Sequence, residues 1–341
     1  MNTSIAYIGT YTNGASEGIY RLSLDNDSGN VIELSLVARF GNPTYLCINK
    51  NKLYTVGNPF SLDTLGGVAS FHIEEDYSLK LTGASLLQGK APCHINLINK
   101  DEKSFIISSN YHEKSINTYS LNDSLDIDTS LSSFVHKDNS KMHYSTLTPD
   151  GKFICSTNLG MDRIELFRIN NGNKLTYLDD LSFQCTKGCG PRHIEFSKNG
   201  KFAYVICENS SEIIILKYLG EEGFKLVQYN HVLPNGFGGE NYGSAIKITS
   251  CNSYLYVSNR GFNGITAFRI NEESGLLSLI NHYSSYGDFP RDFTLSPCEK
   301  FLLIANQKSD NLTIYSRNSD GTLKLINKEI NVPAPTCIKF L

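Results

Sequence analysis

Met142-His143-Tyr144-Ser145-Thr146-Leu147-Thr148-Pro149-Asp150-Gly151-Lys152-Phe153-Ile154-Cys155-Ser156-Thr157 contains two alternating runs joined by a short polar turn. Pro149 and Gly151 supply the backbone angles of a tight hairpin, so the segment predicts two antiparallel strands. The same grammar returns at Ser197-Lys198-Asn199-Gly200-Lys201 before Phe202 to Cys207, and at Ser296-Pro297-Cys298-Glu299-Lys300 before Phe301 to Asn306. A third apolar run follows in each case, as in Ile164 to Ile169, Ile213 to Tyr218, Ile265 to Ile270 and Leu312 to Tyr315. A Gly-containing turn and a more variable fourth run close the unit, seen at Asn318 to Ile326.

Units of this kind begin near Pro43, Pro92, Met142, Pro191, Gly243, Pro290 and Pro335. A spacing of roughly 45 to 52 residues, with four strands per unit, is the signature of a β-propeller with one blade per repeat. No stretch carries a sustained helical stripe, so an almost wholly β chain is expected. The last unit is cut short: Pro335 to Leu341 offers only a first strand, and Ser4 to Leu36 offers the other three. Residues 1–341 are therefore read as a single seven-bladed β-propeller domain, closed by pairing of the N- and C-terminal strands in one blade, which leaves no open sheet edge. The chain has no Trp, so the Trp-Asp propeller signature is missing.

The bulk properties agree with a folded domain and exclude several functions. Apolar residues make up 40% of the 341 residues and charged ones 19%, a globular composition. A net charge of -3 and no long basic run argue against nucleic acid as a partner. No apolar run approaches the ~18 residues of a membrane span, and Met1 to Ile8 lacks the pattern of a secretory leader, so a cytoplasmic location without membrane association is expected. The nine cysteines are odd in number and lack a Cys-x-x-Cys pair, which predicts reduced, buried thiols. Cys185 and Cys189 form the one close pair; a loop is the plainer reading, with a redox or metal role left open.

Aligning the repeats brings two columns to one end of every blade, because the start of the first strand and the end of the second are neighbours in an antiparallel hairpin. The first column reads Thr44, Cys93, His143, Arg192, Ser244, Arg291 and Thr336, followed one step later by His94, His193 and Asp292. The second reads Tyr11, Asn58, Tyr111, Leu159, Glu208, Arg260 and Gln307. With the first strand lining the axis, both columns should surround the channel mouth. Arginine is scarce, nine against 22 lysines, yet Arg192, Arg260 and Arg291 all fall in these columns. Their planar forks suit phosphate or carboxylate, which points to a small anionic ligand. Capping of strand ends and interblade ion pairs, such as Arg192 with Glu208, are the competing explanation. The column Thr10, Asn110, Asn158, Cys207, Asn259 and Asn306 reads as local backbone bonding. His72, His112, His136, His231 and His282 read as surface or structural groups, and no metal-ligand spacing, nucleophile elbow or phosphate loop is present.

The chain resembles the bacterial lactonase family of seven-bladed propellers, which includes 6-phosphogluconolactonases and is similar to carboxymuconate-lactonising enzymes. The resemblance spans essentially the whole chain. It is carried by Tyr7-Ile8-Gly9-Thr10-Tyr11-Thr12, Ala91-Pro92-Cys93-His94, Asn110-Tyr111, Gly190-Pro191-Arg192-His193, Glu208-Asn209, Ser258-Asn259-Arg260-Gly261, Phe289-Pro290-Arg291-Asp292-Phe293 and Ala305-Asn306-Gln307. It implies a functional pair on His143 and Glu208 with arginines at Arg192 and Arg260. Two departures stand out: Asn58 is not followed by the Glu that relatives often carry, and Leu159 puts an apolar residue in a mostly polar column.

The expected chemistry is hydrolysis of a phosphorylated sugar δ-lactone without metal or cofactor. Glu208 would be general base, His143 the acid for the ring oxygen, and Arg192 or Arg260 the oxyanion partner. Arg291 with His193 or His94 would hold the phosphate, and Tyr111 and Gln307 would complete the binding wall. Two other classes stay open: lactonase or cycloisomerase action on another carboxylated or phosphorylated compound, and a scaffold propeller without catalysis.

Overall fold

The computed structural model describes residues 2–59, 64–100, 103–136, 139–170 and 174–341. The quoted hairpin owes its geometry to its turn. Asp150 accepts from the Thr148 hydroxyl (2.7 Å) and the Lys152 amide (3.1 Å), and the Thr148 hydroxyl caps the Phe153 amide (3.0 Å). Ser197 with Asn199 closes the next turn in the same way, and Ser296 caps Phe301 two blades on. Short polar side chains thus satisfy backbone groups that a four-residue reversal leaves unpaired.

Seven antiparallel sheets follow from these hairpins. Blade 1 runs Leu46–Asn49, Lys52–Gly57, Leu65–Ile73 and Leu79–Gln88; blade 2 runs His94–Lys100, Lys103–Asn110, Ser115–Leu121 and Ile127–Val135. Blade 3 has Met142–Leu147, Phe153–Asn158, Arg163–Ile169 and a broken outer edge, Leu175–Tyr177 and Phe183–Gln184. Blade 4 comprises Pro191–Phe196, Phe202–Cys207, Glu212–Tyr218 and Phe224–His231; blade 5 comprises Tyr242–Ile248, Tyr254–Arg260, Gly264–Ile270 and Leu277–Ser284. Blade 6 is Pro290–Leu295, Phe301–Asn306, Asn311–Arg317 and Leu323–Asn331. Blade 7 takes Pro335–Phe340 as its inner strand and Thr3–Thr10, Gly18–Asp25 and Val31–Arg39 as the rest. The termini share one sheet, with Ala6 opposite Phe340 and the Leu341 amide donating to Ile5 (2.9 Å).

Apolar side chains of neighbouring blades fill the space between sheets. One cluster joins Phe202, Tyr204 and Ile206 of blade 4 to Ile246, Leu255 and Val257 of blade 5. A repeated hydrogen bond supplements this packing. The buried Tyr7, Tyr54, Tyr204 and Tyr256 each donate across to the next blade, to the carbonyls of Tyr77, Leu125, Gly275 and Gly321 at 2.8–3.0 Å. All four acceptors have positive φ, in the turn between third and fourth strands.

The inner strands carry the feature that builds the site. In blades 3, 4 and 6 the pairing of first and second strands skips one residue: Met142 and Tyr144 pair with Asn158 and Thr157, Pro191 and His193 with Cys207 and Ile206, Pro290 and Asp292 with Asn306 and Ala305. The skipped residues are His143, Arg192 and Arg291. A β-bulge re-aims the extra side chain away from the regular alternation. Here it turns one polar group per blade toward the mouth of the axial channel.

Candidate active site

A cavity of about 300 Å³ opens at that mouth, lined by Tyr11, Thr44, Lys90, Cys93, Tyr111, His112, His143, Glu208, Arg260 and Arg291 among others. The first- and second-strand columns supply most of this lining. Hydroxyls from preceding blades pin the bulges: Thr157 donates to the Arg192 carbonyl and Ser244 to the Arg291 carbonyl, each at 2.6 Å. Thr336 likewise bonds the Thr44 carbonyl at 3.0 Å.

Among the described residues Glu208 is the only carboxylate in the lining, and 19% of its side chain is exposed. Its Oε2 accepts from Arg192 Nε (3.1 Å) and Arg260 Nη2 (2.7 Å). Arg192 lies in the same blade, so the anticipated interblade pair is a contact within blade 4, and Arg260 of blade 5 makes the crossing. Burial works to raise the Glu208 pKa, but Arg260, Arg192 and Arg291 outweigh it and hold the carboxyl below its ordinary value. Glu208 is an anion at neutral pH with Oε1 left for a ligand or water.

Arg192 is 3% exposed and does not line the cavity; it lies under Glu208, donating to the Ser244 carbonyl (2.7 Å) and meeting His193 Nε2 (3.1 Å). Burial and the neighbouring Arg260 and Arg291 pull its pKa down to about 9, which leaves it cationic at neutral pH. Arg260 stacks on Phe289 and Tyr242, with ring centroids 5.1 and 5.8 Å away. Arg291 stacks on Tyr11 (5.3 Å) and donates to Gln307 (3.3 Å), without a carboxylate partner among the described residues. Lys90 has no ion pair among those residues either. Three cationic side chains thus line the cavity with one carboxylate, and among the described residues two of the three form no direct ion pair.

His143 is 4% exposed, with Nδ1 unpartnered. Burial, reinforced by Arg192, Arg291 and Arg260, lowers its pKa well below the usual imidazole value, so it is neutral at pH 7. His193 and His94 sit beneath it, outside the lining. Their rings form a plug with Tyr144: His143 to His193 is 5.2 Å, His193 to Tyr144 4.9 Å and Tyr144 to His94 4.0 Å between centroids. Tyr144 and His193 each follow the bulge residue of their inner strand, whereas His94 starts an inner strand without a bulge. Gln307 reaches the cavity only through Arg291, and Leu159 is buried outside the lining.

The sequence reading missed Lys90 and assigned His112 a surface or structural role, whereas both line the cavity. His112 follows Tyr111 directly, and its position one step beyond a column residue was the available signal. Lys90 lies in the connection ahead of blade 2, where repeat alignment gives no column. The Asn column behaves as read: Asn110 accepts from the amides of His112 and Glu113, and Asn158 from those of Lys141 and Met161. Cys93 is no ready nucleophile, because burial pushes its thiol up to about 11. A larger cleft of about 660 Å³ adjoins the cavity at Asn42, Lys90 and Ala91. Its other charged residues, Glu17 and Arg39, pair with each other.

Residues 5–340 match the family described as "Lactonase, 7-bladed beta-propeller". The chain is 34% identical to 6-phosphogluconolactonase of Bacillus subtilis over 100% of this chain and 99% of that protein. A crystal structure of a protein from Lactobacillus plantarum superposes with a TM-score of 0.93 at 31% identity, covering 99% of both chains. The periplasmic gluconolactonase of Pseudomonas aeruginosa superposes with a TM-score of 0.92 at 26% identity, again over 99% of both.

Proposed function

The chain belongs to the lactonase family of seven-bladed β-propellers, and from that premise we propose that it hydrolyses the δ-lactone of a phosphorylated sugar acid, 6-phosphogluconolactone. The observation that carries this reading is one cavity holding the Glu208 carboxylate beside two cations, Arg291 and Lys90, that form no ion pair among the described residues. A phosphoester dianion would supply the missing charge, and a lactone carbonyl would lie toward Glu208 and Arg260.

In this mechanism Glu208 Oε1 takes a proton from water as its oxygen attacks the ring carbonyl. Arg260, fixed by Phe289 and Glu208, stabilises the oxyanion. The tetrahedral species then expels the ring oxygen, which recovers the proton from Glu208. The depressed pKa of His143 favours this carboxylate shuttle over an imidazolium donor, and gives His143 the role of a neutral hydrogen-bonding group. Arg192 orients Glu208 from below and is a positioning residue. Lys90 and Arg291 take the phosphate in place of His193 and His94, which are buried in the plug.

The similarity to a gluconolactonase favours a second reading, an unphosphorylated sugar lactone. One assay separates the two: opening of 6-phosphogluconolactone and of gluconolactone by pure protein, each corrected for spontaneous hydrolysis. Preference for the phosphorylated lactone, with Arg291→Ala raising its KM by about tenfold or more and leaving gluconolactone little changed, is the expected result. Equal rates on both lactones would favour the second reading, and no rate above background on either would remove both.

A further inference from the structure

Four inner strands begin after the same backbone kink. Asn42, Gly190, Phe289 and Ala334 precede Pro43, Pro191, Pro290 and Pro335, and their φ angles are all positive, at 50°, 66°, 65° and 43°. In blades 4, 6 and 7 both backbone groups of the kinked residue are held. Its amide donates to a side chain of the preceding blade: Gly190 to Asp162 (2.8 Å), Phe289 to Asn263 (3.0 Å) and Ala334 to Asp310 (2.7 Å). Its carbonyl accepts from the amide of a second-column residue: Glu208 (2.7 Å), Gln307 (3.1 Å) and Tyr11 (3.0 Å).

The left-handed region suits Gly and, less well, Asn, whereas a bulky side chain there is a strained exception. Phe289 is that exception. The kink itself needs no ring, because Gly190 and Ala334 make the same two bonds without one. The ring instead meets Arg260, whose guanidinium carbon lies 5.1 Å from its centroid. Both hydrogen bonds of that guanidinium to described residues leave from Nη2, to Glu208 Oε2 (2.7 Å) and the Gly243 carbonyl (3.0 Å), and the buried Nε has no hydrogen-bond partner among them. One anchored nitrogen leaves the plane of the fork free to swing, and an aromatic face removes that freedom. Tyr242 is farther, at 5.8 Å, and 40% exposed, so the half-buried Phe289 makes the firmer wall. The exposed Lys308 lies against the same ring, its Nζ 4.0 Å from the centroid.

We propose that Phe289 is a positioning residue: its ring sets the plane of Arg260 at the forming oxyanion, and the strained backbone at residue 289 is kept for that contact. Phe289 lies outside the cavity lining and acts only through Arg260. With the plane fixed, the guanidinium meets the tetrahedral species without a search through orientations, so the ring acts on kcat more than on KM. The consequence for catalysis rests on the lactone-opening reading, whereas the ordering of Arg260 does not.

The test compares four variants of the full chain by urea unfolding, by lactone kinetics and by NMR of the arginine Nε–Hε groups, of which the chain has nine, with Arg260 assigned through Arg260→Lys. Phe289→Ala and Phe289→Gly should both turn a rigid Arg260 signal into a mobile one and lower kcat by about tenfold with KM little changed. Gly accepts a φ of 65° without strain and Ala does not, so the Gly variant should unfold at higher urea than the Ala variant although both have lost the ring. Phe289→Tyr keeps the aromatic face and should restore kcat to within about twofold of wild type, whereas Phe289→Leu, apolar but without that face, should not. An Arg260 signal as rigid in the Ala variant as in wild type, wild-type kcat in the Leu variant, or an Ala variant as stable as the Gly variant overturns the proposal. A mobile Arg260 in the Ala variant of a protein that opens no lactone would instead sink the functional reading and leave the ordering role of Phe289 standing.

Discussion

Glu208 sits in a field made for an anion, and its consequences are measurable. Arg192 and Arg260 both donate to Oε2, which fixes the carboxylate, and Oε1 accepts no hydrogen bond from the described residues. Glu208→Gln keeps the shape and removes the proton acceptor, so kcat should fall by roughly 10²- to 10⁴-fold with KM little changed; a variant with full kcat would remove Glu208 from the mechanism. His143, with its pKa lowered by burial and three arginines, should show no imidazole titration by NMR between pH 8 and 6. A titration centred near the ordinary imidazole value would return it to the role of proton donor.

At the scale of elements, the bulge and the tyrosine bond do separate work. Bulges in the inner strands of blades 3, 4 and 6 aim His143, Arg192 and Arg291 toward the mouth, while the buried tyrosines hold blade to blade. Tyr256 donates to Gly321 at 2.8 Å in a fully buried setting. Tyr256→Phe keeps the ring and strands that carbonyl, so urea unfolding should show a loss of about 1 kcal/mol. An unchanged unfolding midpoint would mean that packing alone joins these blades. The alternating apolar runs announced the sheets, but a bulge adds a residue without altering composition. The columns were legible because the repeat could be aligned, whereas the re-aiming of their side chains was not.

For the whole molecule, ring closure and buried imidazoles set the stability. Removing Pro335–Phe340 would expose the inner edge of Thr3–Thr10 and the apolar Ala6 and Ile8. A chain ending at residue 334 should lose its cooperative unfolding transition or aggregate, as followed by circular dichroism and light scattering. A monomer with the wild-type unfolding midpoint would show that six complete blades suffice. His94, His143 and His193 are all held neutral by burial, so their folded pKa values lie below the reference of 6.5. Below that reference the unfolded chain binds protons that the folded chain does not. Stability should therefore be level above pH 7 and fall as pH drops below 6.5, by up to about 1.4 kcal/mol per pH unit for each imidazole. Urea midpoints that stay level down to pH 5.5 would mean these groups are protonated in the fold.

The amino-acid order alone was enough for the number of blades, the shared terminal blade and the two residue columns at one end of the blades, because hairpin chemistry and alternation are local and repeat along the chain. Only the tertiary structure decided which of those residues line the cavity. Arg192 and Glu208 lie 16 positions apart and Arg260 52 beyond Glu208; their order of burial depends on bulges and on neighbouring blades that no local pattern encodes. The neutral state of His143 and the entry of Lys90 and His112 into the cavity have the same origin. Charge and burial are sums over side chains that meet only when the ring closes.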